Sequence, residues 1–300
     1  MSLRSYIYKE SLSQNSIFVL DIKSSNSVIP TWYYRVVRRF KRTSNLEKLK
    51  TYSREVRREI FKFKTSSGYG HLASCLSCVD LLVSIYLDES STFDFDHDRV
   101  IFSKGHGSPS VYPILAGLGI FPEEELEKYC KKEGILRLHA DYSIPGCFYV
   151  GGSLGNGIGF AAGLALARPW QKFYVILGDA ELYEGSVWES LMFIAQHNLT
   201  NVLLVVDRNG FGILGHTEEM IKIEPLNLKF EAFGFAVTRL DGHDLFELRT
   251  FFSDNQKKLR VLIADTVKGK GVSYMENRYE FHSIIPKEPI QIAQGMADLE

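Results

Sequence analysis

Charge of one sign is the first thing this sequence lacks. Its 35 Lys and Arg against 36 Asp and Glu leave a net charge of −1, which gives no general reason to expect nucleic acid or an acidic surface as partner. No apolar run approaches the ~20 residues a helix needs to span a bilayer, so no membrane partner is expected. The opening residues, MSLRSYIYKESLSQNSIFVLDIK, lack the basic stretch and apolar core of a secretory signal. Cysteine is scarce: Cys75, Cys78, Cys130 and Cys147. Cys75 and Cys78 form a C-x-x-C, but no second pair completes a zinc site. The surrounding CLSCVDLLVSIYL reads as a buried helix in which small thiols fill space. Core packing is therefore expected for them, and the reducing cytoplasm as compartment. Internal repeats, low-complexity stretches and an evident interdomain linker are also missing.

What is present divides at about residue 45. Between Met1 and Thr43 the acidic residues are Glu10 and Asp21, whereas Arg35, Arg38, Arg39, Lys41 and Arg42 bunch in TWYYRVVRRFKR. Residues 1–45 read as a solvated basic extension, with a partner-binding arm or a transit peptide as the alternatives. Residues 46–300 read as one domain. Leu49, Tyr52, Val56, Ile60 and Phe63 share one helical face. Helices are expected near Ser74–Leu87, Ser110–Leu118, Pro122–Lys132, Val187–His197 and Leu245–Phe252. Strands are expected at 99–103, 173–177, 202–206, 235–240 and 261–265. This alternation implies βαβ units and an α/β fold with a doubly wound parallel sheet, helices on both faces. Ligands of such sheets sit beyond the carboxyl ends of the strands.

Two of those ends carry oxygen donors. FYVIL runs into Gly178-Asp179-Ala180, and VLLVV into Asp207-Arg208-Asn209-Gly210. A carboxylate and a carboxamide at neighbouring strand ends suit a hard cation such as magnesium, which takes one or two protein side chains plus phosphate oxygens. The residues alone leave a second reading open, in which Asp179 caps a helix and Asn209 occupies a turn. The glycine-rich loop from Gly151 to Gly159 lets backbone amides approach phosphate at a helix start. It fits a dinucleotide fingerprint only in part, because IPGCFYV makes a poor preceding strand.

Taken together, these segments resemble the transketolase family. GDAELYEGSVWESL…NLTNVLLVVDRNGFG is similar to its diphosphate-binding signature, with the asparagine 209 − 179 = 30 positions after the aspartate. SSGYGHLASCLS, SKGHGSPSVYPIL, GGSLGNGIGFAAG, LDGHD and VKGKGVSYMEN follow in the family's order. The resemblance runs from about Leu49 to His282 and covers the diphosphate-binding domain. It implies thiamine diphosphate and Mg2+ (Ca2+ or Mn2+ substituting) as cofactors. Asp179, Asn209 and the carbonyl of Phe211 are the implied metal ligands. His106, Gly152, Ser153, Leu154, Ala180 and Glu181, again with Asn209, are the implied cofactor contacts.

His71, His139 and His282 match the family's catalytic histidines around the donor sugar, and Glu184 and Glu189 match its interface acids. The implied activity is transfer of a two-carbon ketol unit from a ketose or ketose phosphate to an aldose acceptor. The implied partner is a C-terminal subunit with the pyrimidine-binding domain, in a heterotetramer. Other thiamine enzymes and a degenerate partner-binding homologue are the alternatives. Four departures stand out: Ala180 where the family has glycine, which would be strained at positive φ; GHLASC where the family has GHPGGS; Ala140 where proline normally follows the third histidine; and Ser283 after His282.

Overall fold

The computed structural model describes residues 38–300. The expected basic extension therefore lies outside the described residues as far as position 37, Arg35 included.

The described chain opens on α1 (Leu46–Ser67), and its ends are set by sequence. Asn45 accepts from Lys48 N at the start, and Gly68, at φ 72°, closes the helix in a conformation that disfavours side chains. Then come α2 (Leu72–Ser77), α3 (Val79–Tyr86), β1 (Arg99–Phe102), α4 (Tyr112–Gly117), α5 (Asn156–Ala167), β2 (Phe173–Gly178), α6 (Gly185–Gln196) and β3 (Val202–Arg208). The remainder is α7 (Thr217–Met220), α8 (Leu226–Ala232), β4 (Ala236–Asp241), α9 (Leu245–Ser253), β5 (Arg260–Asp265) and α10 (Pro289–Asp298).

The five strands among the described residues pair in parallel, in the order β1-β2-β3-β5-β4. Strands β2, β3 and β5 are covered on both faces, which is why they read as continuous apolar runs rather than alternations. Tyr174, Ile176, Val205 and Leu262 pack against α1, α3 and α9. Val175, Leu177, Leu204 and Val206 pack against α5, α6 and α8. Helices thus lie on both faces, as expected. Among the described residues no helix is long and apolar enough to cross a membrane.

Three local expectations are corrected. The helix near Ser74–Leu87 is two helices broken at Cys78, because Lys104 Nζ reaches the Ser74 carbonyl at 2.9 Å and competes with the helical ladder there. The segment Pro122–Lys132 holds a 3-10 turn, Glu123–Lys128, and Cys130 at φ 59° follows it. Within residues 38–45, Phe40 and Arg42 pack on the domain, while Arg38, Arg39 and Lys41 stay exposed. Phe40 is buried against Tyr52, ring centroids 4.7 Å apart, and its amide donates to Gly117 O at 2.8 Å. Arg42 donates to the carbonyls of Asp88, Ser91 and Phe93. An aromatic ring and a guanidinium with three carbonyl partners are reason enough for the boundary to fall before residue 45.

Candidate cofactor and active site

The carboxyl ends of β1, β2, β3 and β5 lie side by side at one edge of the sheet. Gly178 of β2 pairs with Asp207 of β3, so Asp179 and Asn209 lie just past the same edge of the sheet. Asp179 is buried. Its Oδ1 accepts from Ala180 N at 2.8 Å, and its Oδ2 accepts from Gly210 N at 2.6 Å and Arg208 Nη1 at 2.9 Å. Burial pushes this carboxyl up, and Arg208 works against that. Asn209 Oδ1 accepts from Phe211 N at 3.2 Å. Carboxylate oxygen, amide oxygen and the Phe211 carbonyl form an all-oxygen donor set that fits a hard divalent cation.

Two loops complete the cradle, and Glu181 fixes them. Its Oε1 accepts from Ser103 Oγ at 2.5 Å and Gly155 N at 2.8 Å, and its Oε2 accepts from Gly178 N at 2.9 Å. Both oxygens are therefore taken by the protein. Glu181 acts here as a strut between the β1 loop, the glycine loop and β2. Gly105 and Gly151 touch backbone to backbone, and a Cβ on either would overlap the other's main chain. Gly152 has nothing within 4 Å of its Cβ position, so it and exposed Ser153 border open space. Gly155, at φ +80°, turns the chain into α5. Ala180 is absent from the positive-φ residues and begins a 3-10 turn. The strain expected for its methyl group is removed as a concern, because the backbone there is one any residue adopts.

Four histidines gather at the mouth. His71 lies 5.3 Å from His106, 6.1 Å from His139 and 5.1 Å from His282, centroid to centroid. His106 and His282 are 5.3 Å apart. Burial, then the Lys64 charge, pulls His71 down to about 4. Burial, then Lys268, pulls His282 down to about 3. His106 and His139 are lowered in the same way, by burial first. The rings are uncharged at neutral pH and can each donate one proton and accept one. Nδ1 of His71 and Nε2 of His139 are buried without a hydrogen-bond partner among the described residues. Polar atoms in that state point to a bound polar group. His243, by contrast, is engaged at both nitrogens, by Asp80 at 2.6 Å and by Val267 N at 2.9 Å. His216 stacks on Phe211, 4.2 Å between centroids.

Sequence reasoning missed the cations. Lys104, within SKGHG, is buried and paired with buried Asp207, whose carboxylate also accepts from Ser77 Oγ at 2.7 Å and from Thr266 Oγ1. Burial opposes the Lys104 charge, but Asp207 holds it protonated above the usual lysine range. Lys268, within VKGKG, lies 3.0 Å from His282 Nδ1 and 3.4 Å from Phe211 O. Burial, then Lys104, brings it down to about 8. Both sit in motifs already singled out, so their position beside glycine turns was the available signal. Glu184 caps α6 and Glu189 lies on it, both exposed. The cysteines are free, and burial pushes Cys78 and Cys147 up to about 12, consistent with packing rather than redox chemistry.

Residues 65–293 match the family described as transketolase, thiamine diphosphate binding domain. One of the subunits of the apulose-4-phosphate transketolase of Actinobacillus succinogenes is 35% identical over 254 residues, covering 80% of this chain and 92% of that protein. A 6-deoxy-6-sulfo-D-fructose transketolase subunit of a Clostridium species is 33% identical, covering 78% of this chain and 89% of the relative. Human transketolase is 30% identical over 79% of this chain, which spans only 40% of that protein. The crystal structure of Campylobacter jejuni transketolase superposes with a TM-score of 0.75 at 25% identity, over 85% of this chain and 43% of that one.

Proposed function

This chain belongs to the transketolase family by its thiamine diphosphate binding domain, and from that premise we propose that it is the cofactor-binding subunit of a split transketolase. It would move a two-carbon ketol unit from a ketose or ketose phosphate to an aldose acceptor. The observation that carries this reading is the convergence of Asp179, Asn209, the open Gly152 loop and four uncharged histidines at one end of the sheet. Bound thiamine diphosphate supplies a carbon nucleophile and an electron sink for the two-carbon fragment.

The protein's part is to hold and to move protons. Asp179, Asn209 and Phe211 O hold Mg2+, which Ca2+ or Mn2+ can replace. Gly152, Ser153, Leu154, Ala180 and Asn209 would border the cofactor, and His106 and Lys268 would meet the charge of its diphosphate. His71, His139 and His282 receive donor hydroxyls and exchange protons at the reacting oxygen, work suited to neutral imidazoles.

A second subunit with the pyrimidine-binding domain completes the centre in a cytoplasmic heterotetramer. Two apulose-4-phosphate relatives are each named as one subunit of their enzyme, which supports a partner. Exposed Phe160 at 41%, Met192 at 55% and Phe193 at 40%, on α5 and α6 near Glu184 and Glu189, support where it or a second copy docks. The test is to co-express the chain with a pyrimidine-domain subunit, measure mass by light scattering, and assay ketol transfer. Activity only in the complex is expected. Full turnover by the purified chain alone, free of host transketolase, would overturn the reading.

A further inference from the structure

A lysine stands behind the donor side of the histidine cluster with no assigned role. Lys64, in the last turn of α1, is fully buried. Its Nζ donates to Tyr129 Oη at 2.7 Å and lies 4.7 Å from that ring's centroid. Among the described residues no carboxylate pairs with it, burial lowers its own titration from the usual lysine range, and the titratable groups around it are Tyr129, Cys75, Cys130, His71 and His139. Burial raises both thiols, so neither supplies a negative charge near neutral pH. A lysine is costly to bury in that setting, and placing one there without a counter-ion calls for a function.

The packing shows what it touches. Gly70, at φ +102°, lies directly against the pair: a Cβ there would overlap Lys64 Nζ and meet Tyr129 Oη at 3.0 Å and Leu138 Cδ1 at 3.3 Å. Gly70 immediately precedes His71, and Leu138 immediately precedes His139. Lysine, phenol, glycine backbone and leucine therefore form one contact beneath both histidine-bearing loops. We propose that Lys64 is a positioning residue for the donor end of the site, bracing with Tyr129 the chain at Gly70 and Leu138 and setting one unneutralised positive charge behind the rings of His71 and His139.

The charge and the brace act together. After burial, Lys64 is the largest influence holding His71 uncharged, ahead of His139, Lys268 and Lys104. The rings of His106 and His282 also face His71. For His139 the same two causes apply, burial and then Lys64. A neutral ring keeps a lone pair, so a sugar hydroxyl can be received as donor or as acceptor.

This inference rests on the donor-side reading of His71 and His139, but its test does not need substrate. The full chain is labelled with 13C at the histidine rings, and each ring is titrated by NMR from about pH 3 to pH 8. Lys64→Met should raise the midpoints of both His71 and His139 by ~0.5 unit or more, with exposed His97 and His197 unmoved, and Lys64→Arg should restore them. Unmoved midpoints in a folded Lys64→Met protein would overturn the proposal. If that variant does not fold, Tyr129→Phe decides: the brace predicts shifted ring signals for both histidines at fixed pH, and unchanged signals refute it. Midpoints that move as stated while His71→Ala and His139→Ala keep full ketol transfer in the complex would leave the brace standing and remove the donor-side reading instead.

Discussion

Arg208, the last residue of β3, donates from Nη1 to the carboxylate of Asp179 at 2.9 Å, joining the ends of two neighbouring strands through a buried ion pair. The same guanidinium reaches Thr217 Oγ1 at 2.7 Å, Glu218 at 3.0 Å and Glu224 at 3.4 Å. Arg208→Met leaves the Asp179 charge buried with backbone donors only. Breaking a buried pair from one side costs about 3–5 kcal/mol, so the denaturant midpoint of the free chain should fall accordingly. Added Mg2+ with thiamine diphosphate should recover more stability in this variant than in the native chain, since the cation replaces the missing charge. Asp179→Ala should lose the cofactor-dependent recovery, and thermal unfolding with and without cofactor reads all three proteins.

Ala180→Gly restores the residue the family resemblance leads one to expect, yet it should bring no gain. The backbone at Ala180 is not left-handed, so the alanine methyl adds no strain for glycine to relieve. Calorimetric titration of thiamine diphosphate should give affinities within about 3-fold of each other, because a glycine in a short helical turn costs only about 0.5–1 kcal/mol. A large improvement would mean the methyl obstructs the cofactor.

Adjacent glycines should behave in opposite ways. Gly151→Ala forces a Cβ within 2.5 Å of Gly105 Cα and 2.6 Å of Phe102 O, contacts no side-chain rotation can relieve. It should unfold or greatly destabilise the chain. Gly152→Ala meets nothing within 4 Å, and should fold normally while weakening cofactor binding. Circular dichroism separates the first outcome and calorimetry the second.

The histidine cluster sets an acid limit on stability. His71, near 4, and His282, near 3, sit below the ordinary histidine value of 6.5. Between those values the unfolded chain binds protons that the folded chain does not, so stability rises with pH across the window. Their contribution is complete above 6.5 and fades as pH falls toward 4. The carboxyls of Asp179 and Glu181, raised by burial, act in the opposite direction nearer their own range. The urea midpoint should drop between about pH 7.5 and about pH 5.5, and His282→Gln should flatten the slope. A midpoint independent of pH there would contradict uncharged rings.

The strand ends were legible because β2 and β3 are unbroken apolar runs that stop at Gly178-Asp179 and Asp207-Arg208-Asn209. Buried parallel strands leave that pattern, and ligand-facing residues must follow it. His71, His106, His139 and His282 were found from their motifs, since spacing alone does not bring four loops to one place. Lys104 and Asp207 were missed for the same reason: 103 positions separate them, and neither residue marks the other. Lys64 was hidden in the apolar-looking face of α1, where its stem packs like a hydrocarbon. Ala180 was misjudged because the sign of φ cannot be read from residue type. Glu181 was expected at the cofactor, whereas the amide donors of Gly155 and Gly178 claim its oxygens.

Among the described residues the sheet ends at β1 on one side and β4 on the other, and each carries an arginine fastened in place. Arg99 of β1 lies 4.3 Å over the Phe148 ring and donates to Asp98 O, and Arg239 of β4 bridges Asp265 at 2.8 Å and Glu224 at 3.1 Å. Charged side chains of this kind on an edge strand discourage the addition of a foreign strand. Fibre growth by end-to-end sheet extension is thereby discouraged in concentrated solution.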